Sequence, residues 1–414
     1  MSESNPRGTA RDAWNEPAFR RVYVASFLSN AGRWMQTAAI GVLAWEISGS
    51  SAYLGAVIFA QLGPLGILSL IGGSLADTAD RRKLLLATQA WQMAWTLVLG
   101  VLVLDGEISR GVLLLLVFII GLGQGIYAPA FTSVLPSLAG ARNLSAAIAL
   151  NSAQINGARV IGPAVGGWLT SRFGFSEVFF INAATYVFVL AAVAITIIPA
   201  STAAARSFRD RIFGGFQIAF RAPQVGRPLL IMTMFSLFCL PFIGQLPAIA
   251  EVNLGIDARS SQYGYFYAMF GLGALAGAGL VAAVLIHLPR GRTVRWSLIG
   301  FGATLGWLAL VERVEVAYVA VFCVGLFYFM LPTTLNTAWQ EHVADPVRGR
   351  VAAVWVLSFG GTVPIGNIVA GPLVELTSLQ FVIMSGAAAA FLLAALARQV
   401  SGPVVGEEIL VGPP

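Results

Sequence analysis

The run VFFINAATYVFVLAAVAITII, residues 178–198, decides the fold. Its 21 residues carry no charge and show no alternation of apolar and polar positions. A hydrocarbon core about 30 Å thick takes about 20 helical residues at 1.5 Å each, so the run is one membrane crossing. Only helices and closed barrels satisfy their backbone groups in lipid, and a continuous rather than alternating run selects the helix. Eleven further stretches read the same way, giving spans at 22–45, 53–75, 84–104, 112–135, 146–170, 178–198, 229–250, 263–286, 296–311, 316–335, 351–371 and 381–397. The expected class is therefore all-α, a polytopic membrane protein of twelve transmembrane helices.

Composition agrees. The 414 residues are 57% hydrophobic and 11% charged, with a mean hydropathy of +0.79, whereas soluble domains carry about 25% charged residues. Little chain is left for a soluble domain. The first span is too long for a signal-peptide core and lacks a cleavage site, so the N-terminal segment reads as retained.

Orientation follows from the basic residues. With the N-terminus inside, nineteen Lys and Arg fall on cytoplasmic segments and four, Arg110, Arg172, Arg259 and Arg313, on outer ones. That bias places both termini in the cytoplasm and checks the span count, because one missed helix would invert every later loop. The net charge of +6 thus reflects topology and anionic lipid, and calls for no nucleic acid. Expected units are a cytoplasmic segment 1–21, a six-helix bundle 22–198, a cytoplasmic loop 199–228, a second bundle 229–397 and a cytoplasmic tail 398–414. In the loop, Phe208, Ile212, Phe216, Ile218 and Phe220 interleave with Arg209, Asp210, Arg211 and Arg221, which predicts an amphipathic helix on the inner membrane surface, a solvated tether being the alternative.

Internal echoes point to a duplication. Ser50-Ser51-Ala-Tyr53 opens the second span and Ser260-Ser261-Gln-Tyr263 the eighth. Arg142, Ala146-Ala147 and Ser152 are matched by Arg348, Ala352-Ala353 and Ser358, and Gly162-Pro163 by Gly371-Pro372. Offsets of about 206 to 210 imply two parallel six-helix repeats with a binding site between them at the midplane.

The mid-depth residues are the candidate site. Arg33 lies about 18 Å along its helix from Arg21, and Arg159 about 20 Å from Ala146. A charge there costs about 2.5 to 10 kcal/mol, so each should face an aqueous cavity or a paired interior. Ser26, Ser29, Asn30, Arg33, Gln36 and Thr37 share one helix face, and Ser152, Asn156 and Arg159 another. These stripes form an electropositive floor for an anionic or strongly hydrogen-bonding substrate, or else bond to carbonyls at broken turns near Gly32 and Gly162. Arg33 is the expected contact and Arg159 the expected structural residue. Gln124 of the fourth span is a further candidate. The second half offers aromatic and amide surface instead: Phe235, Phe238, Phe242 and Gln245 on the seventh span, Tyr263, Phe266, Tyr267 and Phe270 on the eighth, Trp355, Ser358 and Thr362 on the eleventh. Such stripes also serve plain packing.

Carboxylates are absent from mid-depth. Glu46, Glu251 and Glu341 at span ends, with Asp77, are the candidate carriers should protons be the coupling ion. His287 and His342 fall near the cytoplasmic surface, and Cys239 and Cys323 lack metal-ligand or disulfide spacing. No metal, cofactor, catalytic residue or ATP-binding loop is therefore expected, and the chain does not read as an enzyme.

The loop after the second span, Gly73-Ser-Leu-Ala-Asp77-Thr-Ala-Asp80-Arg81-Arg82-Lys83, resembles the major facilitator signature G-x-x-x-D-x-x-G-R-R/K. Gly157-Ala-Arg159-Val-Ile-Gly162-Pro163-Ala-Val-Gly166-Gly167 is similar to the G-P-x-x-G-G motif of that superfamily's antiporter branches. With Asn30-Ala-Gly32, Ala128-Pro129-Ala130, Leu135-Pro136 and Arg348-Gly349-Arg350, the pattern is similar to the enterobactin-exporter and macrolide-efflux-like branch. The resemblance implies a monomeric secondary transporter of the inner membrane, with two bundles that rock about a central site. It implies export of a small amphiphilic or anionic metabolite or drug, such as a siderophore. An importer of the same fold and a membrane enzyme or receptor are the alternatives. It also implies helix packing at Gly162, Pro163, Gly166 and Gly167, and a cytoplasmic latch of Gly73, Asp77, Arg81, Arg82, Arg348 and Arg350 that holds the bundles together when the outer side is open. Two departures stand out. Asp80 replaces the signature glycine, and Gln124 lies where many proton antiporters carry arginine in the fourth span.

Overall fold

The computed structural model describes residues 8–78, 80–199, 208–397 and 403–406, without the side chains of residues 67, 69–78, 141, 208–212, 286 and 345. A short α1 (Ala10–Asn15) precedes α2 (Pro17–Ser48), α3 (Ser51–Thr78), α4 (Arg81–Leu104), α5 (Arg110–Ala139), α6 (Leu144–Arg172) and α7 (Phe175–Ala194). The connecting helix α8 (Phe208–Arg221) leads to α9 (Pro223–Phe238), the short α10 (Leu246–Ala248), α11 (Ser261–Ala283), α12 (Arg290–Leu310), α13 (Val314–Gln340), α14 (Asp345–Val356), α15 (Thr362–Leu376) and α16 (Leu379–Leu396). Joining α9 with α10, and α14 with α15, across their irregular turns gives twelve membrane-length units in the expected places.

Eight described helices are long and apolar enough to cross a membrane on composition alone. The long helices α2 and α6 fall short because they carry the polar stripes around Arg33 and Arg159. Lipid tolerates that polarity where it faces protein or water, so these stripes are expected to turn inward.

The repeat is visible in capping chemistry. The Ser50 hydroxyl accepts the amide of Tyr53 at 3.1 Å, and the Ser260 hydroxyl accepts that of Tyr263 at 3.4 Å. Both serines cap the first turn of equivalent helices. Asp80 takes the same part for α4, its carboxylate accepting from Arg82 N and Lys83 N. A carboxylate at a positive helix start thus does the work of the missing glycine turn.

Two spans break where a regular helix was expected. The seventh unwinds after Phe238 into a 3₁₀ turn at Pro241–Ile243, then resumes through α10 and a π turn at Ile249–Asn253. Pro241 supplies no N–H to continue the ladder. The eleventh carries a π turn at Leu357–Gly361. Helix α9 starts at Pro223, within the loop 199–228 read from sequence.

Buried apolar residues fall into three clusters. The largest joins both bundles, and its N-terminal-bundle members, including Met35 to Ala44, Leu54 to Ala60 and Leu169 to Phe179, lie in the half of each span remote from the termini. On the terminal side each bundle has its own core: one around Phe19, Leu85, Phe131 and Val189, the other around Ile218, Trp339, Val347 and Val405. The bundles are therefore fused at the far end and separate toward the termini, apart from contacts of α3 with α8 and α14.

Glycines make the fused seam possible. A Cβ on Gly167 would sit 2.5 Å from the Cα of Gly264, and one on Gly55 would meet the carbonyl oxygen of Asn367. Gly66 meets Gly361 in the same way, a Cβ there lying 2.9 Å from its Cα. Bare backbones thus press together on α6 against α11 and on α3 against the eleventh span. Polar ties add to the far end: Glu46 pairs with Arg259, and Glu375 accepts from the Ser50 hydroxyl and, at 3.1 Å, from Ala52 N.

Candidate functional site

Two guanidinium groups lie midway along their helices, Arg33 within the first bundle and Arg159 at the seam with the second. Arg33 on α2 is half-buried and donates through Nη2 to Asn30 Oδ1 at 2.9 Å, one turn earlier on the same helix. Tyr127 of α5 and Tyr186 of α7 lie close by, as does Arg159. Arg159, on α6, reaches across the seam. Its guanidinium carbon is 4.7 Å from the centre of Trp34 in its own bundle and 5.1 Å from that of Phe329 in the other. Trp34 is shared, since Arg33 lies 5.8 Å from the same ring.

No salt bridge reaches either arginine among the described residues. Arg159 Nε and Nη1 and Trp34 Nε1 are buried without any hydrogen-bond partner. Aromatic faces hold the Arg159 charge, an interaction of about 0.5 to 2 kcal/mol per ring, but they leave its Nε and Nη1 protons unused. A buried unsatisfied donor costs about 1 to 3 kcal/mol, more when charged. The site therefore has surplus donors and surplus positive charge, which a ligand rich in acceptors and bearing negative charge would relieve.

The other sequence candidates separate into groups. Asn30 orients Arg33. Thr37 accepts from Gln61 of α3 at 3.1 Å, and both are half-buried. Asn156 donates to Ser152 O at 2.9 Å and keeps Oδ1 unpartnered one turn before Arg159. Gln124 is half-buried on α5. Tyr267 is buried and, with Tyr328, stands close enough to interact with the Arg159 charge.

Several assignments need correction. Gln36 is not free for substrate: its Oε1 accepts from Asn182 Nδ2 at 2.5 Å and Thr96 Oγ1 at 3.3 Å, a buried junction of α2, α4 and α7. Phe238, in the last turn of regular α9, is 54% exposed on the outer surface, whereas Phe235 one turn earlier is buried. Phe242 packs between Phe270 and Phe301, and Gln245, fully buried, donates to Ser51 O at 3.2 Å across the seam. Trp355 packs on Trp339, with centroids 6.4 Å apart, beside the terminal-side core.

Of the latch residues, four have described side chains in this state, in which the far end is closed. The side chains of Gly73 and Asp77 lie outside the described residues. Arg82 holds α4 to the end of α7, donating to the carbonyls of Val193 and Ala194, and so works within one bundle. Arg350 lies along Gly214 and Gly215 of α8, Arg348 donates to Val343 O at 3.4 Å, and Arg81 opens α4. Gly162 and Gly166 pack on α2 at Trp34 and Met35, while neighbouring Gly167 serves the inter-bundle seam. Pro163 is buried inside α6. Glu46 is paired with Arg259, Glu341 with Arg290 at 2.8 Å, and Glu251 is exposed on the far-end π turn.

Sequence reasoning missed Trp34, Tyr127, Tyr186, Tyr328 and Phe329. The depth arithmetic that singled out Arg33 would have found Tyr328 and Phe329, fourteen and fifteen residues into α13 or about 21 Å along it.

Comparison with known proteins fits this architecture. Residues 11–409 match the family described as transmembrane secretion effector. The staphyloferrin A transporter of Staphylococcus aureus is 24% identical over 354 residues, covering 84% of this chain and 87% of that protein. The multidrug efflux pump Tap of Mycobacterium tuberculosis is 25% identical over 379 residues, 89% of this chain and 90% of that one. Among solved structures, a point mutant of the nucleoside transporter NupG superposes with a TM-score of 0.75 at 14% identity, covering 92% of this chain and 98% of that one. A bacterial homolog of the human lysosomal transporter Spinster, inward-facing and unoccupied, gives 0.66 at 15%, covering 92% and 95%. A family match over nearly the whole length, on two six-helix bundles of major facilitator architecture, makes this chain a member of the transmembrane secretion effector family, multi-pass membrane transporters rather than enzymes.

Proposed function

We propose that this transporter exports a small amphiphilic molecule bearing at least one negative charge, by alternating access, from a site formed by Arg33, Trp34 and Arg159 with Asn30, Thr37, Gln124, Asn156 and Tyr267 around it. The observation that carries the reading is the pair of mid-depth guanidiniums without a carboxylate partner, together with the unused N–H groups of Arg159 and Trp34. In a low-dielectric setting such a site discriminates by charge first, because a neutral ligand leaves the arginines uncompensated. Aromatic rings of both bundles add a stacking surface for a planar or conjugated group.

Arg159 is the contact that links occupancy to conformation. It touches Trp34 in one bundle and Phe329 in the other, so a ligand that draws its guanidinium out of that sandwich alters the seam between them. Arg33 binds from within one bundle. Export is supported by the efflux-pump relative, and a siderophore-like cargo by the staphyloferrin A relative. The bias of basic residues supports cytoplasmic termini, and on that reading the seam parted toward the termini is an inward-facing state of an inner-membrane protein. A latch of Asp77, Arg81 and Arg350 would hold the two bundles together when the outer side is open.

Counterflow in proteoliposomes tests the reading, using labelled staphyloferrin A, the anionic dye carboxyfluorescein and the cationic dye ethidium. Anionic probes should exchange and the cation should not. Arg33→Met and Arg159→Met should each weaken anion binding roughly tenfold to a hundredfold, the loss of one charge-assisted contact. Equal exchange of cation and anion, or unchanged affinity in both variants, would overturn it.

A further inference from the structure

A second basic site lies outside the transport path, at the membrane-facing junction of α2 and α7 near the termini. There a groove of about 450 Å³ opens between the two helices. Its walls are apolar and turned outward: Val24 is 45% exposed, Ile195 63%, and Leu28 and Phe188 complete the floor. Arg20 and Arg21 form the rim. Both are exposed, and their side chains make one hydrogen bond between them, from Arg21 Nε to Pro17 O at 3.1 Å. Neighbouring acids leave this charge intact, since Asp12 is turned back into the Thr9 capping box and Glu16 pairs with neither arginine. Arg82 adds positive charge where it caps the last carbonyls of α7, next to Ile195.

We propose that this groove binds one anionic diacyl phospholipid, its phosphate held by Arg20 and Arg21 and an acyl chain laid along Val24, Leu28 and Phe188. The dimensions fit, because Arg20 to Leu28 spans about 12 Å of helix, the length of nine or ten methylenes. The chemistry selects a lipid over a free anion, since most of the groove is apolar wall that only a hydrocarbon chain fills. It selects an anionic headgroup over a zwitterionic one, because among the described residues no carboxylate at the rim is placed to receive an amine. Trp14, packed edge-on to Tyr23 with centroids 5.4 Å apart, borders the groove at the headgroup level where indoles settle. A lipid seated here ties α2, which carries Arg33, to α7.

Native mass spectrometry of the purified full chain, titrated with phosphatidylglycerol or phosphatidylcholine of identical acyl chains, tests the assignment. The wild type should retain phosphatidylglycerol in preference. Arg20→Gln with Arg21→Gln should lower that retention on the order of tenfold or more, as expected for two basic residues near the surface. Val24→Asp, which puts a carboxylate within a turn of both arginines, should do the same with the arginines in place. A control removing equal charge elsewhere, Arg227→Gln with Arg292→Gln, should retain the lipid. All substituted residues are exposed, so each variant should elute as the folded wild type does. Equal loss in the control pair, undiminished retention in the Arg20/Arg21 pair, or phosphatidylcholine held as tightly as phosphatidylglycerol would overturn the proposal.

Discussion

Replacing Gly167 by alanine should open the far end of the transporter. The new Cβ would lie 2.5 Å from the Cα of Gly264 and 2.9 Å from its nitrogen, both backbone atoms that no rotamer change can move. Carbon atoms pack at about 3.5 to 4.0 Å, so α6 and α11 must part by roughly 1 to 1.5 Å at that level. Overpacking of this kind costs about 1 to 3 kcal/mol. The penalty applies only while the seam is closed, whereas the gain in helix propensity from Gly to Ala applies in both states and cancels. At 1.4 kcal/mol per decade, the ratio of far-end-closed to far-end-open molecules should fall roughly fivefold to 150-fold. Nitroxides at Glu107 and Glu312, exposed between α4 and α5 and between α12 and α13 on opposite bundles, report the change by double electron–electron resonance. Wild type should give one short distance and Gly167→Ala a new, longer population. Gly279→Ala on the same α11, whose Cβ would meet nothing within 4 Å, is the control. Identical distance distributions for wild type and Gly167→Ala would refute the argument that bare backbone contact sets the seam.

The buried junction at Gln36 makes a different prediction. Gln36→Leu should cost about 1 to 3 kcal/mol of stability by leaving Asn182 Nδ2 unpartnered, read as a lower thermal midpoint, while substrate affinity stays unchanged. Glu46→Gln should shift the same nitroxide distances only slightly, because an ion pair whose partners are 40% and 56% exposed contributes about 0 to 1 kcal/mol, and high salt should mimic it. Val405→Asp should undock the tail, whose Val405 pairs with His342 O and Ala344 N and is buried against Trp339 and Val347. Limited proteolysis would then cut near residues 403–406 well before it cuts the wild type.

The span pattern was legible because lipid imposes one rule on every crossing: backbone groups must be satisfied within the helix, so length and apolarity suffice. The serine caps at Ser50 and Ser260 were legible as a repeat because a local hydrogen bond depends only on local sequence. Mid-depth charge was equally plain. What periodicity could not carry was anything beyond a break in the helix. Phe235, Phe238 and Phe242 share a broad face of an ideal helix, but the unwinding at Pro241 takes Phe242 out of that register, and Phe238 is exposed while the other two are buried. Nor could sequence tell which polar residues find partners. Gln36 and Arg33 lie three residues apart on one stripe, yet Gln36 meets Asn182 and Thr96 whereas Arg33 finds only Asn30. That distinction rests on the neighbours that tertiary packing brings up, and it decides which residue holds structure and which is left to hold a ligand.

The same distribution of charge bears on the energy source. A proton carrier must be reachable from each side in turn, and the described carboxylates are committed near the ends: Glu46 to Arg259, Glu341 to Arg290, Glu251 exposed at the far surface. An anion leaving a negative interior needs no such carrier. The membrane field contributes about 2.3 kcal/mol per charge per 100 mV to its export. On the proposed reading the arginines, fixed on α2 and α6, bring the anion to mid-depth, and its charge is what crosses. In proteoliposomes loaded with a monoanionic substrate, an interior-negative potassium diffusion potential of about 100 mV with no pH gradient should therefore accelerate efflux, and reversing the potential should slow it. A pH gradient of equal driving force with the potential clamped at zero should have little effect. Flux that follows the pH gradient and ignores the potential would show that protons carry the cycle, and would direct attention to Asp77 and Glu46.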